Sequence, residues 1–567
     1  MKKYIYLIPL LLLLTSCTGG TPADFYRKVV LDSRYSLIGG YPVNEKESAK
    51  VNCYHFTRDN QGRIAEIEYL RGGKPAVDSY FGVARIKIWY NPDSEKRVFQ
   101  NAAGNPTTDH YGVCYEVLQL NDTGHRTALL NYDVDGNLIA DELGVARYQW
   151  ETDEHGRKVS SVRLNEHGQI LTDEYGIYAQ RWKYNENDYA VWQGNYGRDG
   201  RLRKDGQGIA VTKKEHDQFG NVIEERYYNT REEPVADKYG VAGTSWSYDK
   251  WGNRVETAYY DLENKLTAGK EGYALLNLEF DYRGNLIRAD YYGENGEPIE
   301  HKQSGFAAYK AMYDNRGNII EEKYYGADGN LKLIEPGYAA IRTEYNEYGN
   351  PVEISYYDTQ DELKEDSAGV AIYRWKYNEQ GRVLEEIYFD DDGLPARNII
   401  SGAARVSYKY DLTGINLTGE SYFDIDGKLV EHKREGIAVI RWMKYPDENM
   451  GEMVYLDRNG RPAINKTRGY AVYRWYYDYY GWLTEEGYYD ADGYLVPEKH
   501  SGVAYIKWKR DIHGNPLQRT NLDENMNLTE DNRGIAFSRW EYDADGNLIK
   551  SEFYNADGEL INETDVP

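Results

Sequence analysis

"GVAIYRWKYNEQGRVLEEIYFDDDG", residues 369–393, decides the fold class. Ala371, Tyr373, Trp375 and Tyr377 alternate with Ile372, Arg374 and Lys376. A period of two, with mostly polar residues on one side, predicts a strand buried on one face. Asn378 and Gly381 then suit the first and last places of a four-residue turn, and a second run follows from Val383 to Phe389. Closing the hairpin at those two residues puts Arg374 opposite Glu385, Trp375 opposite Leu384 and Ala371 opposite Tyr388. The same arithmetic pairs Arg342 with Glu353 and Arg474 with Glu485, so an unbulged hairpin is expected.

The stretch is one copy of many. Gly-apolar-Ala or a close variant returns from Gly82 to Gly534 at intervals of about 32 residues. Most copies run Gly-x-Ala, strand, Tyr-Asp-x-x-Gly-Asn, strand, Tyr-Tyr/Phe-Asp-x-x-Gly and a variable polar connection. One hairpin cannot bury an aromatic face by itself, so successive hairpins are expected to stack side by side. The fold class is all-β: an elongated repeat array of β-hairpins, as a curved β-solenoid or superhelical antiparallel sheet. The repeats fill residues 49–567.

The chain opens "MKKYIYLIPLLLLLTSC". Two lysines and a short apolar run ending in small residues before a cysteine form a secretory signal. The stretch Leu14-Thr15-Ser16-Cys17 resembles the lipobox of bacterial lipoproteins. That resemblance implies a signal peptide over 1–16, acylation of Cys17 and a linker over 17–48. Several acyl chains on one residue anchor a protein stably in a bilayer. The expected address is the bacterial cell envelope, and by the same resemblance Thr18 favours an outer membrane in a diderm cell.

Formal net charge is −25, which repels phosphate backbones, and no nucleic-acid partner is expected. Cys53 and Cys114 are the remaining cysteines, too few for a disulfide framework. Ten histidines form no HExxH pair, and neither a Gly-x-Ser-x-Gly elbow nor a Walker loop occurs. Enzymatic activity is therefore not expected.

The repeats "YDADGNLIKSEFYNADGEL", "YDKWGNRVETAYYD" and "YNEQGRVLEEIYFDDDG" resemble the YD repeats of the RHS family, which wind long β-sheets into shells or filaments. The likeness covers almost the whole chain after the leader. The regular 32-residue unit with its Gly-x-Ala anchor departs from that family, and toxin packaging is not the expectation. "YYDADGYLV" is similar to hairpins of choline-binding and glucan-binding repeats, without their Gly-Trp framework.

Two kinds of site arise from the pattern. "NYDVDGNLIADE" and "EYDADGNLIKSE" space Asp133, Asp135 and Glu142, and Asp543, Asp545 and Glu552, like oxygen ligands of a calcium loop. Sister copies drop the second acid and the flanks are strand-like, so corners of the fold explain these turns as well; no cofactor is expected unless calcium. Eight tryptophans, Trp375 and Trp475 among them, fall four residues after the anchor Ala. They form a glycan-stacking ladder or, since parity places them with the anchor, a buried one. Trp192, Trp251 and Trp482 lie off that stripe and are the expected surface contacts. The functional expectation is a non-enzymatic envelope lipoprotein whose repeat surface serves protein interaction or adhesion. Carbohydrate binding through exposed aromatics is the alternative. Partners would be the membrane through the lipid anchor and another envelope protein, a host surface or a polysaccharide.

Overall fold

The computed structural model describes residues 24–565 apart from 79–80, 135, 141–143, 166–167, 446–448 and 544–547. Among the described residues, 36 strands form a single antiparallel sheet. The first two, β1 (Phe25–Leu31) and β2 (Leu37–Val43), make a hairpin; a four-residue helix, Glu45–Ser48, follows. β1 also pairs with β3 (Cys53–Arg58), which pairs with β4 (Ile64–Arg71). From there hairpins follow one another to the last strand, Leu560–Asp565. The all-β repeat array read from the sequence is the observed fold.

The hairpin register differs from the expected one. Arg374 faces Ile387, Trp375 faces Glu386 and Lys376 faces Glu385, with a bulge before Tyr377. Two one-residue shifts cause this. Asn378 bonds Arg382 across the turn, with Gly381 at φ 74°, and Leu384 is left out of the ladder. Each shift alone would exchange the faces, whereas two together restore them. Side-chain parity thus agrees with the sequence reading while each partner lies two residues away. The charge pairs form elsewhere: Arg374, Arg342 and Arg474 face Glu353, Glu321 and Glu452 of the preceding hairpin, at 2.5, 3.0 and 2.6 Å.

The bulge explains the repeated Tyr-Asp. It turns the carbonyl of the first residue after the turn out of the ladder, and a tyrosine from the next hairpin donates its hydroxyl to it. Tyr90, Tyr184, Tyr248, Tyr313, Tyr377 and Tyr410 bond Ile64, Lys158, Val222, Leu286, Pro351 and Val383 in this way. The Asp that follows closes its own turn. In Asp249, Oδ1 accepts the N–H of Trp251 and of Asn253, and Oδ2 accepts from the Asn253 amide.

At the other ends of the strands the anchor is buried. Ala371, Ala438, Ala471, Ala504 and Ala536 have no exposed surface. The connections fold back there: Val430, Ala463 and Val496 pack on the aromatic core of Tyr388, Tyr422, Tyr455 and Tyr470. The core therefore runs along the anchor edge, and the turn edge is left thinner. Successive hairpins are also staggered. Trp375 lies in a row with Glu386, Val406 and Tyr422, so each hairpin slides two residues along the strand direction relative to the one before. One residue per strand is the proportion of an eight-stranded barrel of shear eight. It gives the stack a superhelical slant while the sheet stays open.

The β1–β2 hairpin lies against the turns of the first half. Arg34 pairs with Asp188 at 2.7 Å and donates to the His155 carbonyl, Tyr41 packs on Phe219, and Arg27 donates to the Arg283 carbonyl at 2.8 Å.

Candidate functional site

The two faces differ chemically. On the anchor-Ala face, tyrosine rings touch within and between hairpins, as in Tyr373–Tyr388 at 5.4 Å within one and Tyr356–Tyr373 at 5.9 Å between two, centroid to centroid. Their hydroxyls reach carboxylates, Tyr309 to Glu322, Tyr422 to Glu420 and Tyr473 to Glu486. Burial pushes the Tyr227, Tyr356 and Tyr488 hydroxyls up to about 12. On the opposite face arginines lie over the second aromatic of each pair, Arg374 over Phe389 at 4.4 Å and Arg405 over Phe423 at 4.2 Å.

The tryptophan stripe lies between the buried anchor edge and the turns. Trp150 is buried, whereas Trp182, Trp246, Trp375, Trp442, Trp475, Trp508 and Trp540 are half-buried. The expected buried ladder is thus covered on one side alone, because the connections reach over the first tyrosines and stop short of the tryptophans. Beside Trp150 and Trp182 sits the Lys158 ammonium, 5.7 and 4.3 Å from the ring centroids; burial pushes its pKa down to about 8.

The three tryptophans expected at the surface have different fates. Trp192 is 7% exposed, under the Lys183 ammonium and against the backbone of Gly194, with its indole N–H on Glu232. It is a packed residue, because the missing side chain at Gly194 leaves a slot for it. Trp251 is half-buried beneath Arg27 of the N-terminal hairpin. Trp482, at 38%, keeps an open face and leans on the next turn at Gly514. The structure does not bring these three together.

Asp133 uses both carboxylate oxygens on Asn137, from the backbone N–H at 2.8 Å and the amide at 2.9 Å. Asp543 directly follows the strand Phe537–Tyr542, and Glu552 accepts from Lys550 and Tyr554. Asp135, Glu142, Asp545 and Cys17 lie outside the described residues. Among the described residues no group of three or more His, Cys, Asp or Glu is placed to hold a metal ion.

Two features escape the motif reading. Several of the Tyr-Asp-x-x-Gly turns carry a large apolar side chain at a middle place, and Tyr348, Leu412, Tyr479 and Ile512, all in the second half, are at least 80% exposed. The signal was the hydrophobic character of those turn positions. The second is a groove at the hairpin Val439–Leu456, whose signal was Lys444 standing in the place of the ladder tyrosine. Its two parts, about 610 and 340 Å³, share Trp442 and Trp475 as walls.

No family model matches the chain, and no curated protein matches it. Solved structures with likeness include the TcdB2–TccC3–Cdc42 crystal structure, at 11% identity and a TM-score of 0.22 over 94% of this chain and 29% of that one. The Tc holotoxin pore of Photorhabdus luminescens gives 12% identity and 0.22, over 93% of this chain and 28% of that one. A porin-like protein from Bacteroides uniformis gives 10% identity and 0.14, over 53% of this chain and 86% of that one. The chain spans less than a third of the length of the Tc chains to which it is similar.

Proposed function

We propose that this chain is a non-enzymatic lipoprotein of the bacterial cell envelope whose sheet presents a long turn edge to a protein partner. The observation that carries the reading is the set Tyr348, Leu412, Tyr479 and Ile512, large side chains almost fully open to solvent on four turns of one edge, with the polar turn of Glu379 and Gln380 between the first two. Isolated exposed apolar residues are ordinary, whereas several that recur at equivalent turns along one edge mark an interaction surface. A repeat array multiplies weak contacts into avid binding. The leader ending at Cys17 supplies the membrane anchor of this reading.

Photocrosslinking amino acids placed at 348, 412, 479 and 512 in cells test it. One partner trapped from several of these turns, and none from position 155 beside the N-terminal hairpin, is the expected result. Failure at all four turns rejects the surface. Metabolic labelling with palmitate tests the anchor separately, and label that persists in Cys17→Ser rejects it.

A further inference from the structure

The hairpin Val439–Leu456 is closed without the usual bulge, Tyr445 facing Met450 and Trp442 facing Met453. It therefore pairs with the next strand over five residues, Met450–Val454 against Tyr476–Val472, where its neighbours pair over three. Lys444 stands where Tyr377 and Tyr410 stand in earlier hairpins. Those tyrosines fill the step between hairpins and bond a carbonyl; Lys444 makes no such bond, and the step beside Leu417 and Asn416 is open. Gly451 has no side chain, and a Cβ there would overlap the Trp475 indole, which lies across the strand. Trp475 is set in place by Tyr473 at 5.1 Å.

The lining is rich in donors. Among the described residues the indole N–H groups of Trp442 and Trp475 and the Arg468 guanidinium have no hydrogen-bond partner, and Arg468 is exposed. Asp411, the acid of the groove, spends its oxygens on its own turn: Oδ1 accepts the N–H of Thr413, and Oδ2 accepts from the Asn416 amide at 2.7 Å. The local charge is inverted. Residues 428–474 hold ten Lys or Arg against six Asp or Glu, in a chain of net charge −25. Aromatic walls with unpaired donors and local positive charge suit a ligand with an apolar ring face, many acceptors and negative charge.

We propose that this groove binds an anionic pyranose unit of an acidic polysaccharide, its ring on Trp475 and its carboxylate or sulfate group on Arg468. This goes beyond the reading of the turn edge, and the two fail separately. Native-gel affinity electrophoresis of the full chain in detergent is the test, with polygalacturonate, dextran sulfate, neutral dextran and polyglutamate cast in the gels. Retardation by polygalacturonate assigns a carboxylate, and by dextran sulfate a sulfate. Trp475→Ala and Lys444→Tyr are each expected to weaken the interaction about tenfold or more, equivalent to losing one good contact. Lys444→Tyr fills the step as other repeats do, so its fold is kept and its loss of binding is specific. Absence of retardation by both acidic polysaccharides overturns the proposal. So does equal retardation by polyglutamate, or a folded Lys444→Tyr that binds like the parent.

Discussion

Hairpins Arg85–Gln100 and Val439–Leu456 share a backbone and differ in what fills it. Both lack the bulge before the turn, and both pair over five residues with the following strand. Superposing their registers sets Tyr90 on Lys444, Glu95 on Gly451, Arg97 on Met453 and Leu118 on Trp475. In the first, Tyr90 completes the ladder and Glu95 bridges Arg97 at 2.7 Å and Arg126 at 2.5 Å. Arg97 also holds the Tyr35 carbonyl, and Arg126 holds Ser36, so the plug clamps the tip of the N-terminal hairpin. In the second, a glycine, a thioether and an indole leave a groove. One irregular backbone thus serves as a lock where its side chains are complementary and as an opening where they are not.

The comparison breaks most severely at Glu95. Glu95→Ala takes the nearer carboxylate from the 2%-exposed Arg97 and leaves it Glu116 at 3.8 Å, and breaking such a buried pair costs about 3–5 kcal/mol. Chemical denaturation is expected to show that loss. Protease sensitivity near Arg34 would show whether the hairpin tip is released, as expected.

Gly451→Ala attacks the other member. The added methyl meets the Trp475 ring, so a cost of about 1–3 kcal/mol and a red-shifted, more quenchable tryptophan emission are expected. Lys444→Tyr should make the second hairpin resemble the first. A hydroxyl bond to the freed Leu417 carbonyl adds about 1 kcal/mol, read as a higher melting temperature.

Alkaline titration sharpens the same contrast, with the smallest single effect. Burial, with the Glu95 charge next, pushes Tyr90 up to about 12, while an unfolded tyrosine ionises near 10. The folded pKa is the higher one, so the stability tied to Tyr90 is complete below about pH 10 and is lost as pH rises toward 12. Tyr90→Phe is expected to flatten the loss of stability above pH 10, with phenolate absorbance locating the titration. A parental slope in that variant would remove Tyr90 from the ladder's alkaline limit.

Much of this was readable before the structure. The alternation of Ala371, Tyr373 and Trp375 with Ile372 and Arg374 gives the faces, because parity survives any even slip. Register was not readable, because Gly381 announces a turn without counting its bulges and Leu384 carries no mark of being skipped. The same limit moved Arg374 from Glu385 to Glu353, an acid 21 residues upstream and equally available in the pattern. The burial of Trp192 is not legible in the pattern for a reason of volume: its slot depends on Gly194, two residues along its own strand. The groove at Trp475 needed two residues from different strands, Gly451 and Lys444, and their adjacency exists only after the unbulged register is known.

The N-terminal hairpin has one more consequence. Its contacts advance along the chain in steps of one repeat, from His155 and Asp188 at its tip through Phe219 to Trp251 and Arg283 near its base. It therefore acts as a ruler with marks cut to the pitch of the array. Excising one whole unit from the measured half would leave Arg34 and Arg27 facing the wrong graduations. Among the described residues the hairpin's contacts stop at the turn of Tyr282 and Arg283, and Arg71 of β4 touches the next turn at Gly317; the array after that turn is where length can be gained or lost by whole repeats without resetting the start.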